Sequence, residues 1–111
     1  MIAVDEAFCY VETTGRRTGR THRIEIWFGA EPLGTTVYVL SGGMDRADWV
    51  RNLRAAPGTL VELAGVRHTA RARFDLAPDE EALARRLLDT KYPGYSDWAA
   101  RALVVALDLG A

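Results

Sequence analysis

Near the start of the chain Arg16, Arg17, Arg20 and Arg23 fall close together with His22 among them, and no acid lies between Glu12 and Glu25. Glycines at 15 and 19 bracket the bend Gly15-Arg16-Arg17-Thr18-Gly19-Arg20. Guanidinium forks match the oxygens of phosphates and carboxylates, and a glycine-pinned turn can present backbone N–H groups to the same anion. No Gly-Lys-Ser/Thr precedes a helix here, so the bend is not a Walker loop. The whole chain carries a formal charge of −1, and these four arginines leave its remainder near −5. Such concentration points to a local anion site rather than a general basic surface. The same chemistry leaves a second reading open, a solvated hairpin turn whose arginines serve solubility.

A second chemical segment is Ser41-Gly42-Gly43, followed by Asp45, Asp48, Trp49 and Asn52. Two glycines where a strand gives way to a helix let a flat ligand approach the backbone. The helix N-terminus that follows favours negative charge or carbonyl oxygens. Trp49 could wall a ring-binding cleft or simply fill the core. Cys9 is alone in an apolar run, which excludes an intramolecular disulfide and a cysteine-based zinc site and reads as an inert buried thiol. His22 and His68 read as surface or barrel-filling residues.

Alternation and turn chemistry define the elements that must position these residues. Residues 8–14 are rich in aromatic and β-branched side chains and read as a strand. After the bend, Ile24, Ile26 and Phe28 alternate with Arg23, Glu25 and Trp27, the two-residue period of a sheet. Pro32 and Gly34 turn the chain into a third strand at 36–41. A helix with Asp45 as its expected N-cap then runs to Pro57-Gly58. Strands at 59–63 and 67–74 form a hairpin about Ala64-Gly65-Val66, the second placing His68, Ala70, Ala72 and Phe74 on one face. Pro78 opens another helix, with Asp79, Glu80 and Glu81 in its first turn and Lys91 in its last, matching the helix dipole. Beyond Tyr92-Pro93-Gly94-Tyr95, a short helix around 96–101 leads to a final strand at 103–109.

About six mostly antiparallel strands tend to close on themselves and so remove their edges. The expected fold is mainly β (α+β): a six-stranded antiparallel split β-barrel with two to three flanking helices, of the FMN-binding split-barrel kind. The 111 residues suit one domain with one core. At 49% hydrophobic and 26% charged, the composition excludes disorder and collagen. No apolar run reaches the roughly 18 residues of a spanning helix and no signal-peptide pattern opens the chain. The expected compartment is therefore the cytoplasm, without stable membrane insertion. A pI near 6.1 and a single short basic patch argue against a nucleic-acid partner.

The ordered set formed by residues 13–20, then Glu25-Ile26-Trp27-Phe28, then Ser41-Gly42-Gly43 with residues 48–53, resembles the deazaflavin-dependent nitroreductase family. Residues 92–98 are similar to that family's tail, and the match runs from about residue 8 to the end. The resemblance implies an oxidoreductase that binds coenzyme F(420) and passes hydride between it and a small electron-poor substrate such as an enone, activated alkene or nitro-aromatic. It implies that Arg16, Arg17, Thr18, Gly19 and Arg20 grip the phosphate and acidic tail, and that Ser41, Gly42 and Gly43 lie against the ring. Trp49 and Asn52 would border the same site. Trp27 would contact the cofactor and also line the substrate pocket with Tyr92, Tyr95 and Trp98. The hydroxyls of Ser41, Tyr92 and Tyr95 would serve catalysis by bonding the substrate oxygen as charge develops.

Some relatives have tyrosine where this chain has Trp27 and Trp98, so substrate choice does not transfer. Members often carry an amphipathic helix before the first strand, whereas this sequence opens only a few residues before it. A more open pocket, cover by another subunit or a longer natural chain would each answer to that. Split barrels often pair, so a homodimer is compatible with the resemblance. The alternatives are an FMN-binding oxidoreductase of the same barrel and a non-catalytic carrier of a cofactor, haem or lipid.

Overall fold

The computed structural model describes residues 1–94 and 100–110. Six strands, β1 (Cys9–Thr14), β2 (Thr21–Ile26), β3 (Thr36–Ser41), β4 (Gly58–Leu63), β5 (Val66–Arg73) and β6 (Leu103–Leu109), form one antiparallel sheet. Its order is β2-β1-β4-β5-β6-β3. Helix α1 (Asp48–Ala55) follows β3 through a 3₁₀ turn at Met44–Arg46, and α2 (Pro78–Lys91) joins β5 to β6. Beyond β2 the chain turns back to the opposite edge, where Gly29 and Tyr38 exchange backbone hydrogen bonds of 2.9 and 2.8 Å. That bridge curls the sheet into the expected split barrel.

Two apolar clusters hold it. Val11, Phe28, Val37, Val39, Leu53, Val61, Val105 and Leu107 belong to the first. Tyr38, Leu40, Ala84, Leu88, Val104 and Ala106 belong to the second, beside α2. Strands β3 and β6 therefore serve both clusters with alternate residues, which is why their sequences read as nearly unbroken apolar runs. β5 alternates instead: Ala70 and Ala72 are buried while Arg67, Thr69, Arg71 and Arg73 are exposed. At Gly29 a Cβ would lie 3.1 Å from Leu87 Cβ and 3.2 Å from Leu88 Cγ. The missing side chain lets α2 approach the backbone. Cys9 is fully buried, and burial pushes its thiol up to about 12.

The elements match the sequence-based expectations with local corrections. Asp45 is not the N-cap of the first helix; Ala47 holds that place and makes no side-chain cap bond. The Asp45 carboxylate instead accepts from Arg54 Nε at 2.6 Å and its carbonyl from Arg51 Nε at 3.2 Å. Two arginines from within α1 thus hold the preceding turn. The second strand sits earlier than expected, and the β4–β5 hairpin turns on Ala64 and Gly65, both at positive φ (51° and 78°), a geometry suited to right-twisted strands. Most of the helix expected around 96–101, together with Tyr95 and Trp98, lies outside the described residues.

Over the outer side of β3, β5 and β6, Arg73 donates to both oxygens of Glu80 (2.8 and 2.7 Å) and of Asp108 (2.7 and 3.2 Å). The Tyr38 hydroxyl also donates to Glu80 at 2.7 Å. Arg73, then Tyr38, holds the Glu80 carboxyl below its ordinary value, and Arg73 does the same for Asp108. Carboxylates depressed on folding lend stability that is full above the ordinary carboxylate range and is lost as pH falls through the lowered values. The melting temperature of the protein is therefore expected to fall as pH drops from about 5 to about 2.5. In Arg73→Met, thermal melts across that range should show a lower plateau and a shallower acid decline.

Candidate cofactor and substrate site

The bend joining β1 to β2 is folded largely on its own backbone. The Gly15 N–H donates to Arg20 O at 2.7 Å and the Gly19 N–H to Gly15 O at 2.8 Å. Gly19 takes φ +73°, a conformation that suits glycine. The Arg20 N–H donates to Thr18 Oγ1 at 3.2 Å. The bend is then fastened to α1. Asn52 Oδ1 accepts from the Arg16 backbone N–H (3.2 Å) and from Arg16 Nη1 (2.9 Å). Asn52 Nδ2 donates to Thr13 Oγ1 on β1 at 3.2 Å. Arg16 Nη2 reaches the exposed Asp48 carboxylate at 3.2 Å.

These contacts settle which groups remain available. Among the described residues, the guanidinium groups of Arg17 and Arg20 make no hydrogen bond or ion pair, and the backbone N–H groups of Arg17 and Thr18 have no partner. Arg16, Arg17, Thr18 and Arg20 share a cavity of about 460 Å³ with Trp49 and Asn52. Trp49 packs on the first apolar cluster and also walls this cavity, so both readings of it hold. Thr13, Gly15, His22, Ile24 and Asp48 complete the wall and were not assigned from sequence as site residues. The signal for His22 lay in the period of β2, since His22 shares the parity of the inward Ile24 and Ile26.

Arg23 belongs elsewhere. It bonds Glu12 and Glu62 at 3.0 Å each, and its guanidinium lies 4.2 Å from the centre of the Tyr10 ring. The cavity wall therefore contains three of the four arginines.

Ser41, Gly42 and Gly43 stand where β3 meets the 3₁₀ turn, outside the wall of this cavity. Both glycines are exposed, whereas Ser41 is buried and its hydroxyl donates to Met44 O at 2.9 Å. Trp27 and Tyr92 form another group: their rings stack at 4.7 Å between centroids, 6° from parallel. The Tyr92 hydroxyl donates to Ala7 O at 2.8 Å and accepts from the Phe28 N–H at 3.2 Å. Lys91 Nζ donates to Phe28 O at 3.2 Å and sits 3.4 Å from the centre of the Phe28 ring. Burial pulls that ammonium below its ordinary value. The expectation that Ser41 and Tyr92 donate to substrate thus meets two bonds that already use those hydrogens. Tyr95 and Trp98, expected beside them, lie outside the described residues.

A family model described as F420H(2)-dependent quinone reductase matches residues 5–107. No curated protein matches the sequence. Among solved structures, one described as an F420-H2 dependent reductase (FDR-A) superposes with a TM-score of 0.73 at 18% identity, covering 94% of each chain. A candidate 5-nitroimidazole antibiotic resistance protein from Bacteroides thetaiotaomicron gives 0.74 at 14% identity, over 99% of this chain and 76% of that one. A structure described as a domain-swapped dimer gives 0.73 at 20% identity, over 94% and 81%. Identities this low carry the fold alone; the family model, matching nearly the whole chain, carries more. The chain belongs to the F420H(2)-dependent quinone reductase family and is a deazaflavin-dependent oxidoreductase whose cofactor is coenzyme F(420).

Proposed function

We propose that the cavity beside the bend holds the anionic end of coenzyme F(420), and that Trp27 and Tyr92 offer a stacking surface to an electron-poor organic substrate. The carrying observation is the pair of uncommitted guanidinium groups, Arg17 and Arg20, in one cavity with the indole of Trp49. This donor set fits the cofactor. Fixed forks and two unpartnered amides suit phosphate and carboxylate oxygens, and an indole suits an attached planar ring. Thr18 adds a hydroxyl to the same wall.

When bound in its reduced form, the deazaflavin supplies hydride to an activated alkene, enone, quinone or nitro-aromatic. The chain's own residues bind and orient. Asn52 sets the position of Arg16, and Gly19 gives the bend the backbone it requires. Ser41 holds the turn that carries Gly42 and Gly43, which offer bare backbone to the ring. Tyr92 holds the segment from Phe28 to Trp27 through the Phe28 amide, so its contribution is to place the stacked pair. Tyr95 and Trp98 extend the proposed pocket. The proposal includes a cytoplasmic setting and, by likeness to the neighbour described as a domain-swapped dimer, a homodimer, for which sedimentation should give twice the chain mass.

Replacing Arg17 and Arg20 together by alanine removes two charges without breaking a described bond. Fluorescence titration with oxidised coenzyme F(420) should show about 10²-fold weaker binding, as expected for two charge-assisted contacts. An unchanged titration would remove the cavity from the cofactor's site. FMN titrated in parallel should bind more weakly than the deazaflavin; the reverse order favours the FMN-dependent reading. Asn52→Ala strips a buried bridge between β1, the bend and α1, and should cost about 1–3 kcal/mol in denaturant unfolding.

A further inference from the structure

His22 lies in the wall of the same cavity. It pairs with Thr13 in the β1–β2 register, on the face of β2 that carries Ile24 and Ile26. Its imidazole is seated against the bend: a Cβ on Gly15 would stand 2.8 Å from His22 Nε2 and 3.1 Å from Arg20 O. Glycine at 15 is what leaves the ring its place. The charged groups sharing this space are Arg16, Arg17 and Arg20 from the bend and Asp48 from α1. β1 contributes only the neutral Thr13. Arg23 pairs with both Glu12 and Glu62, and none of the three is in the cavity wall.

Arg16 and Asp48 already share an ion pair, and the bend's remaining two guanidinium groups are permanently charged. Histidine is the side chain type whose charge can switch near neutral pH, and His22 is the histidine of this wall. An anion seated among the arginines would favour the imidazolium, and the imidazolium would in turn favour the anion, since the coupling is reciprocal. We infer that His22 is a further binding residue for the cofactor's anionic group, and that it makes the grip of this cavity tighten as pH falls. This inference rests on the proposed placement of the cofactor.

The test compares fluorescence titrations of oxidised coenzyme F(420) with the wild-type chain, His22→Gln and His22→Arg at pH 5.5, 7.0 and 8.5. Taking each affinity relative to His22→Gln at the same pH cancels any titration of the cofactor itself. The wild type should bind about tenfold more tightly than His22→Gln at pH 5.5, and within about twofold at pH 8.5. His22→Arg, charged throughout, should hold a constant advantage over His22→Gln at all three values. Parallel curves for wild type and His22→Gln would overturn the inference. If Arg17→Ala with Arg20→Ala weakens binding while those curves stay parallel, only the role of His22 fails. If that double variant binds like the wild type, the placement of the cofactor and the role of His22 fall together.

Discussion

Asn52 is 4% exposed, yet its side-chain amide meets three polar groups on two other pieces of the chain. Its nitrogen meets Thr13 at the inner end of β1, and its oxygen takes both the backbone amide and the guanidinium of Arg16. A buried amide is costly unless its polar atoms are paired, and the Arg16 N–H lies in a bend where no strand partner continues. Each group therefore satisfies another. The consequence is a division of labour: Arg16 is an anchor held to α1, while Arg17 and Arg20, further round the bend, keep their charge available. Without that anchor the same arginines would sit on an ordinary hairpin loop, and holding them for a ligand would cost side-chain and backbone entropy.

The rest of the barrel positions the other surfaces. β3 and β6 give alternate residues to two apolar clusters, so the end of β3, where Ser41 and its two glycines stand, is held from both sides. Gly29 admits α2 close to the backbone that follows β2. The C-terminal end of α2 then delivers Lys91 to the Phe28 carbonyl and the Tyr92 ring to Trp27. A side chain at Gly29 would press on Leu87 and Leu88 of the helix that ends in these contacts. The cation above Phe28 adds a contact that burial makes stronger than it would be in water.

How far the sequence told this in advance differed with the kind of signal. Alternation in β5 and the apolar runs of β3 and β6 declared their strands because side-chain period and burial are set by the same backbone. Pro78 marked its helix because a proline costs nothing at that position. The arginine bend was legible as a charge cluster, but which of its arginines are already paired with acids was not. Arg23 sits next to that cluster in sequence and on another face of the sheet in space, a difference of one residue in parity. His22 was passed over for the complementary reason, although its parity with Ile24 and Ile26 put it on the face that walls the cavity. Asp45 looked like a cap, yet bonds from Arg51 and Arg54 in the following helix hold it in the turn instead. The bonds that occupy the hydroxyl hydrogens of Ser41 and Tyr92 run to backbone carbonyls, at Met44 and at Ala7, which no spacing rule would indicate.

Cys9, the chain's one thiol, has no exposed surface, and burial keeps it protonated far above neutral pH. Thiolate is the species that alkylates, exchanges with disulfides and reacts with peroxides. A protein that handles electrons for its substrate is thereby spared from spending them on itself. The practical result is a chain chemically silent toward maleimides, so a cysteine introduced at an exposed position of the bend would carry a reporter alone, with the native sulfur left in place.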